Sequence, residues 1–142
     1  MSACTFFGHR DCPESILPKL RNTLVELITH HGVDLFYVGN HGQFDRFVRA
    51  QLRLLEKEYP HIRYAVVLAY LPREGSCLEE DASDTMLPEG IESVHPKYAI
   101  VWRNNWMLRN ADYVVAYVTH TWGHSAGFVQ KARAQKRIVI DL

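Results

Sequence analysis

Two short apolar runs, Cys4–Phe7 and Val33–Val38, stop at glycines, Gly8 and Gly39, and each is followed by a stretch with the three-and-four spacing of an amphipathic helix. A continuous apolar strand that ends in glycine and turns into a helix is the repeating unit of a parallel sheet covered on both faces. The first helix follows Pro13, carries Ile16, Leu17, Leu20, Leu24, Leu27 and Ile28, and ends at Gly32. Pro18 falls in its first turn, where a missing N–H costs little. The second places Phe44, Phe47, Val48, Leu52, Leu55 and Tyr59 on one face, with Arg46, Arg49, Arg53, Lys57 and Glu58 largely on the other, and stops at Pro60.

The same alternation continues. Ile62–Leu71 reads as a third strand, residues 72–96 as an irregular flap with the acidic run Glu79, Glu80 and Asp81, and Tyr98–Asn110 as a helix with Pro96 near its start. Asp112–Val118 is a fourth strand, Gly123–Lys136 a helix, and Arg137–Leu142 a closing strand. Together they predict one α/β domain over residues 1–142, in three layers, with a mostly parallel five-stranded sheet in the order 3-2-1-4-5. Strands one and four then flank the topological switch point, where open α/β sheets bind ligands.

Composition narrows the partners. Sixteen Lys plus Arg balance sixteen Asp plus Glu, so no global field attracts a nucleic acid backbone, and an anion has to be held locally. Three cysteines, Cys4, Cys12 and Cys77, describe no disulfide framework. The start MSACTFFGHR has no apolar signal core and no stretch reaches the roughly 18 apolar residues of a membrane span. The expectation is a cytoplasmic protein without membrane contact.

Three strands run into polar, glycine-bearing loops: Gly8-His9-Arg10-Asp11, Gly39-Asn40-His41-Gly42, and Thr119-His120-Thr121-Trp122-Gly123-His124-Ser125-Ala126. All three belong on one rim, where glycine lets backbone N–H groups approach a ligand and the following helices direct their positive ends at it. Taken singly, each glycine is also ordinary punctuation between strand and helix. His9 and Arg10 stand at the switch point, where a guanidinium can grip phosphate with two N–H groups; an Arg10–Asp11 surface contact is the alternative. Asp45 can cap its helix or accept from ribose hydroxyls. Tyr37, Tyr70, Trp106 and Trp122 can stack on a base or pack in the core. Arg103 or Asn104 can reach into the pocket from the side; a dimer contact through Trp102, Arg103 and Trp106 competes.

Several chemistries find no support. Neither the spaced glycines of the dinucleotide fingerprint nor the phosphate loop ending in Gly-Lys-Ser/Thr is present. His120 and His124 have the spacing of a zinc-binding helix, but no glutamate stands between them and Gly123 interrupts the helix, so no metal is expected. His30, His31, His61 and His95 fall at element ends, and Cys12 has no partner base fixed by sequence.

Thr5 to Arg10, Phe36 to Asn40 with Gly42, Phe44 and Asp45, and Tyr113 to Tyr117 leading into Thr119–Gly123 resemble the SLOG superfamily. This is the Rossmann-like group that unites the DNA-processing protein A and Lonely Guy families with many small bacterial and phage proteins. The resemblance spans nearly the whole chain. It implies a site for nucleotides or nucleotide-derived signals, such as ADP-ribose derivatives or cyclic nucleotides, formed by those loops. Lonely Guy enzymes, which cleave the N-glycosidic bond of nucleoside monophosphates, carry Pro-Gly-Gly-x-Gly-Thr-x-x-Glu at the matching helix. Laid onto Gly123, that pattern puts His124 at its second glycine and Gln130 at its glutamate. An amide cannot replace a carboxylate as acid or base. The expected function is therefore non-catalytic binding, by a sensor or sequestering protein needing no further cofactor. A nucleotide hydrolase using Asp45, Asp11 or a flap acid, and a single-stranded DNA-binding module, are the alternatives. Small proteins of this kind are often homo-oligomers.

Overall fold

The computed structural model describes residues 2–70, 85–119 and 123–142, apart from the side chain of His124. Its elements are β1 (Ser2–Gly8), α1 (Leu17–His30), β2 (Val33–Val38), α2 (Gly42–Glu58), β3 (Arg63–Val67), β4 (Thr85–Met86), α3 (Ala99–Arg109), β5 (Tyr113–Tyr117), α4 (His124–Ala134) and β6 (Ile138–Asp141). Short 3-10 turns, Glu14–Ile16 and Pro96–Tyr98, lead into α1 and α3.

All strand pairs are parallel, in one sheet of order β4-β3-β2-β1-β5-β6. Cys4 is level with Phe36 of β2, and Phe6 with Val115 of β5. Strand alternation divides the core between two faces. Cys4, Phe6, Phe36, Val66 and Val115 pack on one side with Leu20, Leu24 and Leu27 of α1 and Phe44, Val48, Leu52 and Leu55 of α2. Phe7, Val67, Val114 and Ala116 pack on the other with Met107 and Leu108 of α3 and Phe128, Val129 and Ala132 of α4. The result is a three-layer Rossmann-like α/β domain.

Among the described residues the sheet has six strands where five are expected. The added strand, β4, lies in the segment read as an irregular flap and extends the sheet beyond β3, pairing Val66 with Thr85 and Val67 with Met86. Two residues carry no periodicity for a sequence pattern to detect, so the sheet edge alone selects them. The order of the remaining five is the one expected. Residues 72–84, with the acidic run, and Leu71 lie outside the described residues.

The third strand is also shorter than its apolar run. Leu68 and Ala69 are buried, yet the ladder stops at Val67, whose carbonyl oxygen accepts from Arg103 Nη1 at 3.0 Å. The chain's burial therefore outlasts its strand geometry. Trp106 packs edge-on to Tyr37, centroids 5.1 Å apart, so this tryptophan has a partner within the chain. No helix among the described residues is long and apolar enough to cross a membrane.

Gly8 closes β1 where the fully buried Phe44 ring leans against the strand. A Cβ there would run into the ring and lie 2.9 Å from Phe44 Cβ. Gly8→Ala is expected to lower stability by about 1–3 kcal/mol in denaturant melts, the usual penalty of overpacking. Adding Phe44→Leu should recover part of that loss, measured as a positive coupling in a double-mutant cycle.

Candidate functional site

The loops after β1, β2 and β5 meet above the carboxyl ends of these strands through specific polar contacts. Ser125 Oγ donates to the Gly8 carbonyl at 2.7 Å, tying the start of α4 to the end of β1. The Thr119 N–H donates to His9 Nε2 at 2.8 Å, which requires a neutral imidazole with its proton on Nδ1. His9 also meets the Tyr117 ring edge-on. The Gln43 N–H donates to the Arg10 carbonyl at 2.8 Å, and Gly42, at φ +88°, lets the Arg10 backbone come so near that a Cβ would lie 2.8 Å from Arg10 Cα. Gly42 is thus needed for loop-to-loop packing.

Arg103 sits below the rim. It is 3% exposed and occupies the inward stripe of α3 with Ala99 and Met107. Its guanidinium donates from Nε to Asn104 Oδ1 at 2.8 Å and from Nη1 to Asn40 Oδ1 at 3.2 Å and the Val67 carbonyl at 3.0 Å. Nη2 lies 3.3 Å from His41 Nδ1. A guanidinium cannot accept, so His41 Nδ1 does, and its proton is on Nε2. Burial lowers the Arg103 pKa and the Asp45 charge opposes that shift. One side chain thereby fixes α3, the end of β3 and the loop after β2.

Asp45 lies beside it. Its Oδ2 accepts from the His41 N–H at 3.1 Å, so the carboxylate reaches back to the residue preceding α2, as a capping acid does. Gly39 separates it from Arg103: a Cβ there would lie 2.7 Å from Asp45 Oδ2 and 3.2 Å from Arg103 Nη1. Desolvation raises the Asp45 pKa to about 6, against the His41 N–H bond and the charges of Arg103 and Arg49. Burial, then Arg103, Arg10 and Arg49, holds His41 below its ordinary value.

These groups open onto a cleft of about 720 Å³ with a floor of Phe6, Phe7, Ile100 and Met107 and walls bearing His9, Arg10, His41, Asp45, Arg103, Asn104, Thr119 and Ser125. A neutral, ring-bearing group suits the floor and polar substituents suit the walls. A second cleft, of about 670 Å³, lies between the loop after β1 and α2.

The sequence-derived residues are distributed unevenly around this site. Gly8, His9, Arg10, Asp45, Arg103, Thr119 and Ser125 line the larger cleft, and Asn40 and Gly42 the smaller. Phe44 is fully buried in the core, and Ala126 is buried on α4. Tyr70 is 44% exposed, its hydroxyl donating to the Pro96 carbonyl at 2.9 Å. Gly123 precedes α4 at φ 98°, with His124 as its first residue. His120 and Trp122 lie outside the described residues. His41, in the glycine-bounded loop after β2, is a lining residue that the sequence reading does not single out. The signal for a buried Arg103 was its spacing of four from both Ala99 and Met107.

Among the described residues, no three His, Cys, Asp or Glu side chains gather closely enough to hold a metal ion. Burial raises the Cys4 thiol far above its ordinary value and the Cys12 thiol to about 11, so neither is a thiolate nucleophile at neutral pH.

Arg103→Ala removes a buried cation and strands its partners, and is expected to cost about 3 kcal/mol in denaturant melts. Asp45 has a folded pKa above its unfolded value of 3.8, so the native state binds the extra proton and stability falls as pH rises from 3.8 to about 6. Carboxyl carbon NMR should show Asp45 titrating near pH 6. Asp45→Asn should remove that component from the pH dependence of stability. No protein-family model and no curated protein matches the chain.

Proposed function

We propose that the chain binds a phosphate-bearing, nucleotide-derived small molecule at the carboxyl ends of β1, β2 and β5, as a sensor or sequestering protein. The observation that carries this reading is the convergence of three loops on one cleft with an apolar floor and a polar wall built around Arg103. A guanidinium so fully held in place is preorganised, and ordering costs little on binding. The likeness of these loops to the SLOG superfamily points the same way. Gln130, at the position of the Lonely Guy glutamate, is exposed on α4, which favours binding over hydrolysis.

A second reading, a hydrolase with Asp45 as its acid, draws on the half-buried carboxyl poised near pH 6 in the same cleft. Released base or ribose phosphate on incubation with a nucleotide panel, abolished by Asp45→Asn, would establish it.

Binding itself is tested by denaturing the purified protein and examining the supernatant for nucleotide by mass spectrometry. Adding the matching nucleotide at about 100 times its Kd should stabilise the chain by about 2.7 kcal/mol, read as a higher Tm. Release of no nucleotide, with no rise in Tm across the panel, overturns the reading.

A further inference from the structure

We infer that the smaller cleft, between the loop after β1 and α2, is an anion subsite for a pyrophosphate-like group, so that the ligand is of the nucleoside polyphosphate class. The cleft is lined by Arg10, Arg46 and Arg49, with Asn40, Asp11 and Glu14 also on its walls. Three guanidiniums against two carboxylates leave it positive, in a chain whose formal charge is zero.

These arginines have no hydrogen-bonding side-chain partner among the described residues, as is also true of Arg109 and Arg137, and what sets them apart is that all three line one cleft. Elsewhere Arg21 pairs with Glu58, Arg133 with Asp141, Arg63 donates to two carbonyls, and Arg103 is fully engaged. Among the described residues, Arg10, Arg46 and Arg49 form no hydrogen bond through their guanidiniums and no ion pair, and Asp11 and Glu14 do not neutralise them. Arg49 Nε is buried without a partner among the described residues, a donor that water does not satisfy. Arg46 and Arg49 are three residues apart on α2, close to one turn, and so project to the same side. Together with Arg10 they form the convergent, bidentate-capable array that recognises phosphate oxygens. Their field reaches His41, whose pKa Arg10 and Arg49 both help to lower.

The position sets the ligand class. Arg10 and Asp11 line both clefts, so a molecule with its ring system in the larger cleft can pass a phosphate chain across Arg10 into the smaller one. That extension rests on the function proposed above; the anion subsite does not.

Titration calorimetry on the full chain with inorganic pyrophosphate, then with ribonucleoside mono- and diphosphates, separates the two. The wild type is expected to bind pyrophosphate with an affinity that falls as salt rises, and Arg46→Gln/Arg49→Gln to weaken it at least about tenfold, the effect of losing charge-assisted hydrogen bonds. Circular dichroism establishes that this surface variant is folded, and Arg46→Lys/Arg49→Lys, which keeps the charge but not the fork, should show an intermediate loss. A diphosphate should bind more tightly than its monophosphate, and the double Gln variant should erase that difference. Failure to bind pyrophosphate, or equal binding by wild type and double Gln variant, overturns the subsite. Arginine-dependent pyrophosphate binding with no nucleotide binding supports the subsite while overturning the nucleotide reading.

Discussion

A cation that has been taken out of water must have its N–H groups satisfied by protein, and Arg103 meets that demand by gathering atoms from distant parts of the chain. Asn40 comes from the loop after β2, Val67 from the end of β3, and Asn104 from α3 itself. None of these is free to move without leaving a buried donor or acceptor unmatched. The demand also explains local features that otherwise look arbitrary. The ladder of β3 ends where its carbonyl turns to the guanidinium, and position 39 is glycine because Asp45 and Arg103 close in on either side of it.

The rim above is held by weaker but equally directional contacts. His9 accepts from one loop while its backbone N–H donates to the Tyr117 carbonyl, and Ser125 secures α4 to β1. The upper walls of the cleft are therefore defined by neutral hydrogen bonds and its lower wall by a charge, above an apolar floor. Arg10, exposed at the mouth, is committed only through its backbone carbonyl, which leaves its side chain available to both clefts.

Much of this architecture is legible in the sequence because burial on both faces of a parallel sheet writes continuous apolar strands, and helices write their spacing. β4 is not legible, since two residues have no period. The site is legible as a location, three loops at strand ends, more than as a mechanism. Gly8 reads as an opening for a ligand, but its neighbour is Phe44, thirty-six positions away, and no local pattern reports such a contact. Asp45 reads equally as a cap or a ribose acceptor, and its bond to the His41 N–H shows the capping role. Arg46 and Arg49 read as the polar face of α2; that this face borders a cleft depends on where the loop after β1 lies, which is tertiary information.

The brevity of β4 shapes the outer margin of the sheet. Among the described residues, β4 pairs only with Val66 and Val67, so its ladder covers the last part of β3 and not the first. Exposed sheet margins recruit strands from other molecules unless something discourages them. Arg63 is exposed there, its Nη1 folded back onto the Pro60 and Ile62 carbonyls, placing a fixed positive charge where an approaching strand would begin to pair. A residue outside both cleft linings thus puts a charge at the margin of the sheet, the device by which sheets discourage pairing with other chains.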